Sequence, residues 1–183
     1  LAIGAVSTVL AVLVLALAWN LASGDDDGAP EPTVLTVGND LGTVPQVDLA
    51  GEAAPDFTYE RLASGEEIEF AAFRDGRPAM VNFFAEWCVP CVREMPTIEQ
   101  AFQEHGDRIA FLGLSYNESA EDARALVERT GVTYETGRDP AGDILTSFSA
   151  VGMPTTVFIA ADGTISTAHT GEITAAELDD ELE

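Results

Sequence analysis

The 183 residues carry 32 acidic and 8 basic side chains for a formal charge of −24, and every basic one is an arginine. Phosphate recognition needs clustered basic residues, so this balance excludes nucleic acid as a partner; it suits a soluble monomeric domain or a basic partner protein, and the missing lysine fits codon bias or a saline habitat. The length allows one ordinary domain with additions, and two cysteines at C-x-x-C spacing exclude a dense disulfide framework and, with His105 and His169 at no metal-ligand spacing from them, a structural zinc site.

Residues 1–22 hold no charged side chain and are long enough to cross a hydrocarbon core of about 30 Å as a helix. They are expected to form an uncleaved membrane anchor with Trp19 at the interface. The rival is a cleaved secretory signal ending at Ala16-Leu17-Ala18. Either reading exports the rest of the chain. The composition of residues 23–50 turns to Gly, Asp, Pro, Glu and Thr, beginning with Asp25-Asp26-Asp27. This predicts a flexible acidic linker with a reach of about 30 Å, with a short strand at Val34-Leu35-Thr36-Val37. The remaining residues, 51–183, form one domain whose packed part is expected to begin near Ala54-Pro55-Asp56-Phe57.

Within that domain Ile68 to Phe70 reads as a short strand and Asp75-Gly76-Arg77-Pro78 as a turn. Residues 79–85, AMVNFFA, are an apolar run of the kind that a central strand buried on both faces produces. A helix runs from the cysteines to about Glu104, with Val92, Met95, Ile98 and Phe102 at helical spacing. The pattern continues with a buried strand over 109–116 and an amphipathic helix over 119–130, started by a Ser119/Asp122 capping box and stopped by Gly131. A shorter helix over 140–148 comes next, then a hairpin of 155–160 and 164–170 turning at Ala161-Asp162-Gly163, and a final helix from Thr174. Strands alternating with helices and closing in a hairpin predict an α/β domain with a mixed central sheet.

Cys88 and Cys91 stand where the central strand gives way to the helix. At a first turn the unpaired backbone N–H groups and the helix dipole favour a thiolate. Cys88 is therefore expected to attack and the more interior Cys91 to resolve, with Pro90 tolerated because early helix positions have no intrahelical N–H bond to lose. Glu86 reads as surface charge. Trp87 is expected to shape the substrate surface or to pack beside the helix start. His169 reads as a packed or half-exposed histidine.

The stretch Phe84-Ala85-Glu86-Trp87-Cys88-Val89-Pro90-Cys91 resembles the thioredoxin active site, and Cys91-Val92-Arg93-Glu94-Met95-Pro96 resembles the extracytoplasmic TlpA/ResA-type members. Ala54-Pro55-Asp56-Phe57 is similar to their domain start and Val151-Gly152-Met153-Pro154-Thr155-Thr156 to their cis-proline loop, so the resemblance covers residues 54–183. It implies a thioredoxin-like fold behind one transmembrane helix, and electron transfer to disulfides of exported proteins, often apocytochrome c, from a membrane electron donor. It further implies that Pro154 is cis beside the cysteines and that the Met153 backbone pairs with an extended substrate. No cofactor or metal is implied beyond the redox-active dithiol, and the protein is expected at the cell membrane with its catalytic domain outside the cytoplasm.

One position departs from many thioredoxins, where a buried aspartate six residues before the first cysteine serves the resolving thiol. Here that position is Asn82, which cannot act as a base. The TlpA/ResA resemblance offers Glu94 in its place, one helical turn beyond Cys91; the bland alternative is a solvated helix glutamate, and Arg93 beside it reads as an independent charge. The functional rivals are a disulfide oxidase or isomerase on the same site, a copper-binding thioredoxin-like carrier, and a purely structural disulfide. Peroxiredoxin chemistry is disfavoured for want of a peroxidatic-cysteine motif.

Overall fold

A computed structural model describes residues 48–183. The apolar segment 1–22, nearly all of the linker, Trp19 and the strand expected at 34–37 lie outside those residues. No helix among the described residues is long and apolar enough to cross a membrane.

Seven strands form one mixed sheet: β1 (Thr58–Arg61), β2 (Glu67–Glu69), β3 (Ala79–Phe84), β4 (Ala110–Tyr116), β5 (Glu135–Asp139), β6 (Thr155–Ile159) and β7 (Ile165–Thr170), in the order β2-β1-β5-β4-β3-β6-β7. β3 runs parallel to β4 and β4 to β5, while β6 lies antiparallel to β3 and to β7. Five helices complete the domain: α1 (Phe70–Arg74), α2 (Val89–His105), α3 (Ala120–Thr130), α4 (Asp143–Ser147) and α5 (Ala175–Leu182).

β3 is buried along its whole length, and its side chains alternate between two cores. Met80 and Phe84 pack with Met95 and Ile98 of α2, Leu126 of α3 and Leu178 and Leu182 of α5. Val81 and Phe83 pack on the other face with Leu112, Leu114, Phe70 of α1 and Ile144 and Leu145 of α4. A strand covered by helices on both faces needs apolar residues at every position but those given a partner, and the one polar residue of β3 is Asn82.

The helix after Asn117 starts as expected. Ser119 Oγ accepts the Asp122 amide at 3.1 Å and its hydroxyl donates to the Asp122 carboxylate at 2.7 Å, and Gly131 ends it at φ 72°, a conformation that glycine adopts without a Cβ penalty. α5 carries a full capping box between Thr174 and Glu177.

Several boundaries differ from the sequence expectations, each for a reason of packing. The fold begins before Ala54 and includes the end of the expected linker. Leu49 is buried, and residues 51–54 run beside the last hairpin, with Gly51 N–H donating to the Ile165 carbonyl and Ala54 N–H to that of Gly163. Phe70 opens a helix rather than closing a strand, its ring stacked on Phe57 at 4.5 Å. α4 begins at Asp143 rather than Pro140, because the buried Asp139 carboxylate accepts the Ile144 and Leu145 amides. β1 and β5 were not expected, since neither carries an apolar run. β5 is covered instead by Tyr59, whose ring lies so close to Gly137 that a Cβ there would stand 2.3 Å from it.

Candidate active site

The end of β3 delivers the chain through buried Ala85 to Glu86 and Trp87, both exposed, and then to Cys88. Glu118 anchors this loop. Its carboxylate accepts the Glu86 amide at 2.8 Å and the Ser115 hydroxyl at 2.6 Å, a role that nothing in the local sequence announces.

Cys88 is the N-cap of α2, and its sulfur accepts the Cys91 amide at 3.3 Å. That amide is one of the donors a helix leaves unpaired in its first turn, so the start of α2 stabilises negative charge on Cys88. Cys88 and Cys91 are joined in a disulfide with Cα atoms 5.3 Å apart. Cys88 keeps 5 % of its surface exposed and Cys91 none. The order of accessibility is the expected one, although Cys88 is itself nearly buried. Pro90 sits in the first turn, where it costs no hydrogen bond.

The Met153–Pro154 peptide bond is cis, and Met153 packs against the core cluster that contains both cysteines. Pro154 O accepts the Gly171 amide at 2.9 Å. Among the described residues the amide and carbonyl of Met153 make no hydrogen bond, which leaves them available to an extended chain. Among the described residues the exposed large apolar side chains are Trp87, Val89 and Val151: two flank Cys88 in sequence and the third stands in the cis-proline loop. Trp87 leans edge-on to Tyr116, with ring centroids 6.3 Å apart.

Glu94 is not a solvated helix residue. It is 1 % exposed, its Oε1 accepts the Asn82 side-chain amide at 2.8 Å and its Oε2 the Ile173 backbone amide at 3.0 Å. Burial pushes its carboxyl up to about 7; the Ile173 and Asn82 hydrogen bonds act against that, and the Glu172 charge reinforces it. Arg93 is not the independent charge the sequence suggested, because it pairs with Glu172 and so bears on Glu94 through that carboxylate. Asn82 also donates to Thr156 Oγ1 at 3.0 Å. The sequence offered Glu94 in place of an acid at position 82 without showing that Asn82 and Glu94 touch, and it gave no role to Thr156 or to the Ile173 amide. His169 is half-exposed on β7, as expected.

A sheet of this order with a C-x-x-C disulfide at the mouth of its central strand and a cis-proline loop beside it defines a thioredoxin-like thiol-disulfide oxidoreductase. Known proteins agree. The family model described as AhpC/TSA family matches residues 50–168, and the chain belongs to that family. It is 30 % identical over 136 residues to the thioredoxin-like protein YneN of Bacillus subtilis, covering 73 % of this chain and 78 % of that one. It is also 30 % identical over 135 residues to the thiol-disulfide oxidoreductase ResA of Halalkalibacterium halodurans, covering 73 % and 76 %. A thiol:disulfide interchange protein of the thioredoxin family from Chlorobium tepidum superposes with a TM-score of 0.64 at 25 % identity, over 74 % of this chain and 97 % of that one.

Proposed function

We propose that this oxidoreductase reduces disulfides of exported proteins, apocytochrome c among the candidates, from the outer side of the membrane to which residues 1–22 anchor it. The observation that carries the reading is the unequal pair: Cys88 at a helix cap with a small part of its surface exposed, and Cys91 wholly buried one turn on. In the reduced enzyme the Cys88 thiolate attacks one sulfur of the substrate disulfide. That S–S bond breaks, a mixed disulfide forms and the first substrate thiolate leaves with a proton from solvent. The Cys91 thiolate then attacks Cys88 Sγ, the Cys88–Cys91 bond forms and the second substrate thiolate departs, so that two electrons have passed to the substrate. A membrane electron donor restores the dithiol, and no cofactor takes part beyond the cysteine pair.

The free backbone of Met153, held beside the pair by Pro154, receives the substrate strand, and Trp87 supplies apolar contact to it. Glu94 takes and returns the proton that Cys91 must lose before it resolves the mixed disulfide, a task that suits a carboxyl titrating near neutrality. The reduction potential of the Cys88–Cys91 pair tests the direction of flow. A value near roughly −270 mV supports a reductase, and one near roughly −120 mV would assign an oxidase instead. Membrane fractionation tests the anchor: recovery of a soluble exported form starting near Trp19 would replace it with a cleaved signal.

A further inference from the structure

Asn82 lies at the middle of the sheet, paired with Gly113 of β4 on one side and Thr156 of β6 on the other. Its side chain is fully buried, with Nδ2 donating to Glu94 and Thr156 while Oδ1 has no partner. A buried carbonyl oxygen left without a partner is destabilising, because it has given up water and gained nothing in return. Turning the amide over would place Oδ1 opposite both Glu94 Oε1 and Thr156 Oγ1 and leave Nδ2 as the orphan, so neither orientation satisfies every atom.

The charge of Glu94 decides between them. In the observed orientation both carboxylate oxygens accept N–H bonds, which suits the anion. A proton on either oxygen has no acceptor among these partners, because Asn82 Nδ2 and the Ile173 amide are both donors. With the amide turned over, a protonated Glu94 donates from Oε1 to Asn82 Oδ1 while Oε2 still accepts from Ile173. The Thr156 hydroxyl suits either orientation, because it can accept or donate.

We propose that the Asn82 amide is a two-position element that turns over with the charge of Glu94, giving each protonation state of that buried carboxyl a hydrogen-bond partner, with Thr156 as the hydroxyl that permits both orientations. Asn82 and Thr156 are positioning residues, acting on the cysteines through Glu94. The other groups bearing on this carboxyl are fixed in character. Glu172 is held by Arg93 on the exposed side, Tyr134 is a buried phenol whose own ionisation is opposed by burial and by the Glu94 and Glu99 charges, and the cysteine pair is in its disulfide form. None of them hydrogen-bonds the Glu94 carboxyl among the described residues.

The turning amide rests on the reading of Glu94 as a proton carrier, but it is tested on the oxidised protein, without any exchange reaction, so the two fail separately. In the full chain in detergent micelles, nuclear magnetic resonance can track the Glu94 side-chain carboxyl carbon and the Asn82 side-chain amide across pH. Above the Glu94 midpoint a hydrogen-bond correlation from Asn82 Nδ2 to the Glu94 carboxyl is expected, and below it the correlation is lost. Glu94→Gln should lack it at every pH, because the introduced amide donates to Asn82 Oδ1 as the protonated acid does. Asn82→Leu separates the proposal from a fixed donor. If Asn82 serves both protonation states, the substitution changes Glu94 proton affinity less than about tenfold, whereas a donor serving only the anion would, when removed, raise the affinity by more than that. Persistence of the Asn82 correlation on both sides of the midpoint, or a large upward shift in Asn82→Leu, overturns the proposal.

Discussion

The burial of Glu94 makes the stability of the domain depend on pH in a direction opposite to most carboxylates. Its carboxyl titrates near 7 in the fold against an ordinary value of 4.5, so between those values the folded chain holds a proton that the unfolded chain has released. The stabilising contribution is fully present below about pH 4.5 and is lost as pH rises through about 7. At about 1.4 kcal/mol per unit, the difference amounts to about 3 kcal/mol, a large share of a typical domain's margin of about 5–15 kcal/mol. Urea denaturation of the oxidised full chain, parent against Glu94→Gln, isolates the effect, since every other carboxylate titrates in both proteins. The parent should lose about 3 kcal/mol relative to Glu94→Gln between pH 4.5 and pH 8. Parallel stability curves would refute the reasoning and mean that Glu94 meets water in the folded state.

Alkylation of the reduced protein near neutral pH should modify Cys88 before Cys91, and Cys88→Ser should abolish disulfide exchange while Cys91→Ser accumulates mixed disulfides detectable on non-reducing gels; equal labelling of the two thiols counts against the assigned roles. Glu94→Gln should flatten the pH dependence of exchange near neutrality and slow the resolving step by about 10²-fold or more, as loss of general acid-base assistance does; stopped-flow traces of mixed-disulfide decay would read it. Arg93→Gln should move the Glu94 midpoint upward by freeing the Glu172 charge, and Arg93→Gln with Glu172→Gln should bring it back, both readable by carbon resonance titration. Gly137→Ala should destabilise the domain by about 1–3 kcal/mol, because the added Cβ meets the Tyr59 ring at 2.3 Å; an unchanged urea midpoint would mean that Tyr59 moves aside freely.

Much of the fold was written in local pattern. The run at 79–85 has no charge to put in water, so it reads as the doubly covered β3, and the spacing of Met95 and Ile98 set α2 against it. The C-x-x-C pair at that junction already specified a redox dithiol on a helix start, and the motif around Pro154 pointed to the loop beside it. Local pattern failed where burial comes from a distant partner. β1 and β5 hold several charged residues and a glycine, and they become strands because Tyr59 covers Gly137 and because Arg138 pairs with Glu60 at 2.9 Å across the sheet.

Glu94 shows the same division at the site. From sequence it is a glutamate on a helix, equally at home in solvent. Its burial depends on the chain before α5 returning to donate the Ile173 amide, 79 residues away, and on β3 presenting Asn82 beneath it. Residue identity and spacing determined which atoms carry the redox chemistry, since a thiol pair on a helix turn is a local object. Only the tertiary structure decided the state of the neighbouring carboxyl, because desolvation and hydrogen bonding to a charge are set by groups that the chain brings together only on folding.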